Sequence, residues 1–214
     1  MTQATNLVET GKWKGFFDKF SVKNTVLIQR YYIEMVLKHT GKNDMILEIA
    51  AGSGYTSIVL FHSGRKNVIC SDIEDELLED IRKREPLMRV SKVDSLDIKF
   101  GPFDCIFHQG FLEHFSDEEI IELLKEQARV SKKIIFDVPN ARRWDKTQEY
   151  GNERFMYHRR WRKLIKEAGL NIVEESGRKM PKVFKYLPYF MSENRWFRKY
   201  FGTSSIFVCD GKVE

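Results

Sequence analysis

The chain has 214 residues, 42% of them apolar and 13% aromatic, which is enough to bury one sizeable core, excludes a disordered or fibrous chain and predicts a single domain. No run of about 18 uncharged apolar residues is present and residues 1–14 are polar, so neither stable membrane insertion nor a secretory leader is expected and a cytoplasmic protein is the expectation. By count, residues 1–141 hold 19 Lys and Arg against 22 Asp and Glu, whereas 142–200 hold 16 against 7, so the net charge of +5 is a surplus of the last third, a face for solvent or for an anionic partner.

The first expected helix, Thr25–Thr40, places Leu27, Ile28, Tyr31, Tyr32, Met35 and Val36 near helical spacing and stops at Gly41. Residues 45–50 form an apolar run that reads as a buried strand. A Gly-Ser-Gly turn and a helix over 55–63, ended by Gly64, come next. Residues 67–72 read as a second strand, 74–84 as a polar-faced helix broken by Pro86, and 88–94 as a third strand. Residues 103–109 make a fourth strand. Ser116 with Glu119 three residues later is a capping-box signature for a helix reaching about Val130. Residues 132–138 are a fifth strand, closed by Pro139-Asn140. A helix near Arg159–Ala168 ends at Gly169, and strands follow at 171–176 and 204–210. Cys70, Cys105 and Cys209 each sit in a strand-like apolar run, which reads as buried thiols rather than disulfides or metal ligands; no metal site is expected.

Alternating strands and helices call for a parallel sheet covered on both faces, because each right-handed crossover lays a helix over it. The last two strands are separated by an aromatic, basic stretch rather than a regular helix. The expected fold is therefore α/β: a Rossmann-like, doubly wound sheet of seven strands, mostly parallel, with an antiparallel last strand. Residues 1–43 would form a helical cap, 44–176 the core, 177–202 a variable lid and 203–214 the last strand.

Ligands of such sheets sit beyond the carboxyl ends of the strands. Gly52 and Gly54 allow a tight turn and close backbone approach after the first strand. Asp72 ends the second strand, 18 residues after Gly54, where a carboxylate can accept ribose hydroxyls. Asp94 and Ser95 follow the third strand, placed for an adenine edge. A dinucleotide loop would need a third glycine where Ser57 stands, and Glu48 before the loop would repel a pyrophosphate. A carboxylate there suits a cationic nucleoside such as S-adenosylmethionine (SAM), which carries a sulfonium, an ammonium and no phosphate.

These residues resemble the class I SAM-dependent methyltransferases of the broad small-molecule subgroup. Residues 47–54 are similar to the family's first motif, with Ala50 in place of its usual first glycine, and Ser71-Asp72-Ile73 looks like its ribose-binding acid motif. Residues 93–97 and 103–106 resemble the adenine-contacting segment and fourth strand, 110–115 the motif after that strand, and 136–140 the fifth strand. The resemblance implies SAM as cofactor, held by Glu48, Ala50, Gly52, Gly54, Asp72, Ile73, Asp94, Ser95, His108 and Gln109, with S-adenosylhomocysteine (SAH) as product.

It also implies in-line displacement at a sulfonium methyl, in which alignment does much of the work and a base is optional. His114 is the candidate base, or a side chain that packs beside the cofactor; His108 competes for either role. The acceptor is expected to be a small molecule, flat or apolar and bearing an anionic group, enclosed by Trp13, Phe16, Phe17 and Phe20 and by Tyr186 in the lid. An RNA or protein acceptor is the rival within the enzyme class, although the Asn/Asp-Pro-Pro-aromatic motif of exocyclic-amine nucleic-acid enzymes is missing after the fourth strand. A non-catalytic SAM-binding module is the alternative outside that class. Monomer and homodimer are both compatible with the sequence.

Overall fold

The structure, a computed structural model, describes residues 22–142, 152–178 and 194–211. In chain order the elements are α1 (Val22–His39), β1 (Ile46–Glu48), α2 (Tyr55–His62), β2 (Val68–Asp72), α3 (Asp75–Arg84), β3 (Arg89–Lys92), β4 (Cys105–Gln109), a 3-10 turn (Leu112–His114), α4 (Asp117–Val130), β5 (Lys133–Pro139), α5 (His158–Glu167), β6 (Asn171–Gly177), α6 (Arg195–Phe201) and β7 (Ser204–Asp210). The seven strands lie in the order β3-β2-β1-β4-β5-β7-β6. β1 to β5 pair in parallel, and β7 runs antiparallel between β5 and β6, as expected.

Strand alternation divides the core between two faces. Ile46, Phe107, Ile135, Ile206 and Val208 pack with Tyr32 and Val36 of α1 and Ile58 and Phe61 of α2. Ile134, Phe136, Phe207 and Cys209 point the other way, onto Leu123 and Leu124 of α4 and Trp161 and Leu164 of α5. Burial on both faces explains why these strands read as continuous apolar runs rather than as alternating ones. The three cysteines are buried free thiols. Among the described residues, no helix is long and apolar enough to cross a membrane.

Local chemistry accounts for most element ends. At α4 the Ser116 hydroxyl accepts from the Glu119 amide at 3.2 Å, and the Glu119 carboxylate accepts from the Ser116 amide at 2.8 Å, completing the capping box. Helix α1 begins three residues before its expected start and ends in Lys38 and His39, whose side chains both reach Glu174 of β6 at 2.7 Å. The stretch between the last two strands, expected to be irregular, contains α6, which the Asn194 side chain caps through the amides of Trp196 and Phe197. Helix α6 passes so close to the end of β6 that a Cβ on Gly177 would lie 1.9 Å from the Arg198 carbonyl oxygen, so only glycine fits there. Of the proposed lid, residues 179–193 lie outside the described residues.

Candidate functional site

The order β3-β2-β1-β4-β5 places the ends of strands from both halves of the chain side by side. The chain leaves β1 toward β2 and later crosses back to β4, so the connections diverge between β1 and β4 and open a crevice at their carboxyl ends.

Asp72 organises one side of it. One carboxylate oxygen accepts from the amide of Gly52 at 2.9 Å; the other accepts from Ile73 at 2.7 Å and Glu74 at 3.1 Å. The side chain thus ties the loop after β1 to the loop after β2. Burial raises its pKa, and the three amides oppose that by stabilising the charged form. A carboxylate has about four acceptor positions, so room for a hydroxyl remains.

The loop itself follows a left-handed path at Ala50 (φ 50°), Gly52 (φ 54°) and Gly54 (φ 68°). Gly54 must be glycine on two counts: its φ, and a Cβ there would meet Ile81 at 2.8 Å and the Cys70 sulfur at 3.1 Å. At Ala50 the family's usual glycine has a physical reason, because an L-residue in this region costs about 1 kcal/mol.

Gly54, at the N-cap of α2, offers no side chain, and Glu48 takes over its role. Its Oε2 accepts from the Ser57 amide at 3.1 Å, in the first turn of the helix. Burial drives the Glu48 pKa up to about 8 despite this bond. The group therefore holds a proton at neutral pH until a cation beside it displaces that proton. Farther along the crevice, Ile73 is exposed next to Asp72, and the Val93 amide donates to the Asp72 carbonyl. Asp94 follows, its carboxylate bonded to the Leu96 amide at 2.9 Å, with Ser95 half-buried beside it.

On the β4 side the two histidines separate. His108 is fully buried, stacked on Phe136 with ring centroids 5.5 Å apart, and its Nε2 lies 3.2 Å from Gln127 Oε1 of α4. Burial lowers its pKa to about 3, so it is neutral and packed into the α4 face rather than brought to the crevice. Gln109 is half-buried at the end of β4. His114 sits on the 3-10 turn beyond, its Nδ1 2.8 Å from Asn152 Oδ1. With that oxygen accepting, Nδ1 carries the hydrogen and the basic lone pair is on Nε2.

Sequence reasoning passed over Glu113, an acid set inside an otherwise apolar turn. It is 5% exposed, and its Oε2 has no hydrogen-bond partner. Burial, then Asp137 and Glu153, push its pKa up to about 8, while Arg178 opposes them. Asp137 of β5, 2% exposed, has Arg178 Nη1 3.2 Å from one oxygen. The only signal in the sequence was a charge where spacing calls for an apolar residue. Trp13, Phe16, Phe17, Phe20 and Tyr186 lie outside the described residues.

The family model described as a methyltransferase domain matches residues 46–133, the span from β1 to the start of β5. Residues 46–133 thus match a methyltransferase domain, and the seven-stranded sheet that contains them has the methyltransferase fold. No curated protein matches it. Among solved structures it is similar to a chain of the complex between the Haloferax volcanii Trm112 methyltransferase activator and a candidate methyltransferase, at 16% identity over 94% of this chain and 97% of that one, with a TM-score of 0.70. It is also similar to magnesium protoporphyrin IX methyltransferase from Synechocystis with bound SAH, at 15% identity over 89% and 84% (TM-score 0.63), and to the CcbJ methyltransferase from Streptomyces caelestis, at 12% over 94% and 96% (TM-score 0.69). Identities this low establish the shared fold. SAM is the cofactor of this methyltransferase, and the residues present fit it. Asp72 is held as a hydroxyl acceptor against the amide of Gly52, and the buried Glu48 calls for a cation.

Proposed function

We propose that this methyltransferase moves the methyl group of SAM to a nitrogen or oxygen of a small-molecule acceptor bound beyond β4 and β5. The observation that carries the reading is the Asp72 carboxylate, fixed by three backbone amides at the end of β2 with an acceptor position remaining. Bound SAM supplies an electrophilic methyl on a sulfonium. Asp72 would take the ribose hydroxyls, Glu48 would lie toward the cationic methionine end, and Asp94 and Ser95, with the exposed Ile73, would receive the adenine. Gln109 closes the β4 side. For a hydroxyl acceptor, His114, its tautomer set by Asn152, would take the proton through Nε2 as the new bond forms. Trp13, Phe16, Phe17, Phe20 and Tyr186 remain proposed walls of the acceptor site. A cytoplasmic location and a monomer or homodimer complete this reading.

A second reading is favoured by the Haloferax chain, which aligns over nearly its whole length and was solved with an activator protein. A protein partner of this methyltransferase would then be needed for full activity. Calorimetric titration with SAM, followed by SAH detection across amine, alcohol and carboxylate acceptors, tests both. SAM binding with turnover supports the first reading, and SAM binding with turnover only in cell extract supports the second. Binding without SAH under either condition favours a non-catalytic module.

A further inference from the structure

The acceptor side of the crevice holds a carboxyl group for which the cofactor has no use. Glu113 stands on the turn directly after β4, and a Cβ on Gly110, the first residue beyond that strand, would lie 3.6 Å from its Oε1. The Gly110 amide in turn donates to the Asp137 carbonyl of β5 at 3.1 Å. The carboxyl group therefore sits over the junction of β4 and β5, next to the strand end where the methionine moiety of SAM belongs. Its Oε2 is buried without a hydrogen-bond partner, an expensive state for a polar atom unless a ligand completes it. The charged groups around it come from three elements: Asp137 on β5, Glu153 ahead of α5, and Arg178 after β6. Arg178 lies against Asp137, so that cation is already engaged with another carboxylate.

Resting on the methyltransferase reading above, we propose that the acceptor is an amine and that Glu113 binds its ammonium group and takes its proton. The ammonium nitrogen passes one proton to the Glu113 carboxylate. Its freed lone pair forms the nitrogen–carbon bond as the carbon–sulfur bond breaks, and sulfur keeps that electron pair as a neutral thioether. The methylated amine leaves as a cation, and Glu113 returns its proton to solvent. The raised pKa of Glu113, about 8, matches a group that exchanges a proton with an amine near neutral pH. This replaces the anionic acceptor expected from the composition of residues 180–201.

Sinefungin tests the geometry without any knowledge of the acceptor, because it carries an amine where SAM carries its methylsulfonium. Calorimetry at pH 8.5 should find sinefungin binding the wild-type protein at least about tenfold more tightly than SAH, as a charge-assisted hydrogen bond predicts. Glu113→Gln should reduce that preference to about threefold or less with SAH affinity unchanged, and Glu113→Asp, which keeps the charge, should retain part of it. Equal affinity for the two nucleosides in the wild type, or a preference that survives in Glu113→Gln, overturns the inference while leaving the cofactor assignment intact. Failure of the wild type to bind SAH overturns both.

Discussion

The two sides of the crevice are made from different materials. On the β1–β2 side the main chain does the work: amides of Gly52, Ile73 and Glu74 converge on Asp72, and left-handed residues shape the loop. On the β4–β5 side the groups are side chains, with Glu113, Asp137 and Arg178 in one cluster and His114 against Asn152 in another. A main-chain site is fixed by local conformation and tolerates little change. A side-chain site can be rewritten without disturbing the sheet, which suits a fold whose solved neighbours include a porphyrin methyltransferase.

The contrast predicts that the main-chain side is the more sensitive to small changes in shape. Gly54→Ala should cost roughly 2–4 kcal/mol in chemical denaturation, about 1 from the left-handed φ and the rest from crowding against Ile81 and Cys70. A loss below about 0.5 kcal/mol would show that the loop can relax and that this side is not rigid.

Across the crevice, chemistry should suffer before folding does. With a hydroxyl acceptor, His114→Ala is expected to lower turnover by roughly a hundredfold with little change in SAM affinity. Asn152→Ala, acting through the His114 tautomer, should lower it about tenfold. If both variants turn over at wild-type rates, His114 is a packing residue.

The cofactor side was largely legible in the sequence because its determinants are local. Two glycines and an acid 18 residues beyond them, each at the end of an apolar run, state the loop and its anchor in one short stretch. The class of sheet was legible for a similar reason, since right-handed crossovers leave few arrangements of alternating strands and helices. The acceptor side was not, because residues 113, 137, 152 and 178 are distant in sequence and meet only through the sheet. His108 shows how this misleads. At the end of β4 it looked poised for the site, yet strand alternation turns it into the α4 face, against Phe136 and Gln127.

Both sides hold a carboxyl group with a pKa raised to about 8, Glu48 and Glu113, and this makes their charge states testable together. The folded protein keeps two protons that the unfolded chain releases above about pH 4.5. Their contribution to stability is therefore fully present below that pH and is lost as pH rises toward 8. Stability of the cofactor-free protein should fall steadily across that interval. Glu48→Gln and Glu113→Gln should each flatten part of the slope, and SAM affinity should increase toward pH 8 through Glu48 alone. A profile unchanged in both variants would remove the burial argument.

The smallest effect expected lies at Ala50. Ala50→Gly relieves the left-handed φ and should stabilise the protein by about 1 kcal/mol or less, partly offset by the entropy glycine adds to the unfolded chain. Destabilisation instead would mean that the Ala50 methyl makes contacts worth more than the backbone strain.

The central claim is that Asp72, held by three amides, receives the ribose of SAM, and calorimetric titration of wild-type and Asp72→Ala protein with SAM tests it most directly. Losing charge-assisted hydrogen bonds should weaken binding by roughly a hundredfold, with Asp72→Asn, which keeps one acceptor oxygen, in between. Equal SAM affinity in all three proteins would contradict the account.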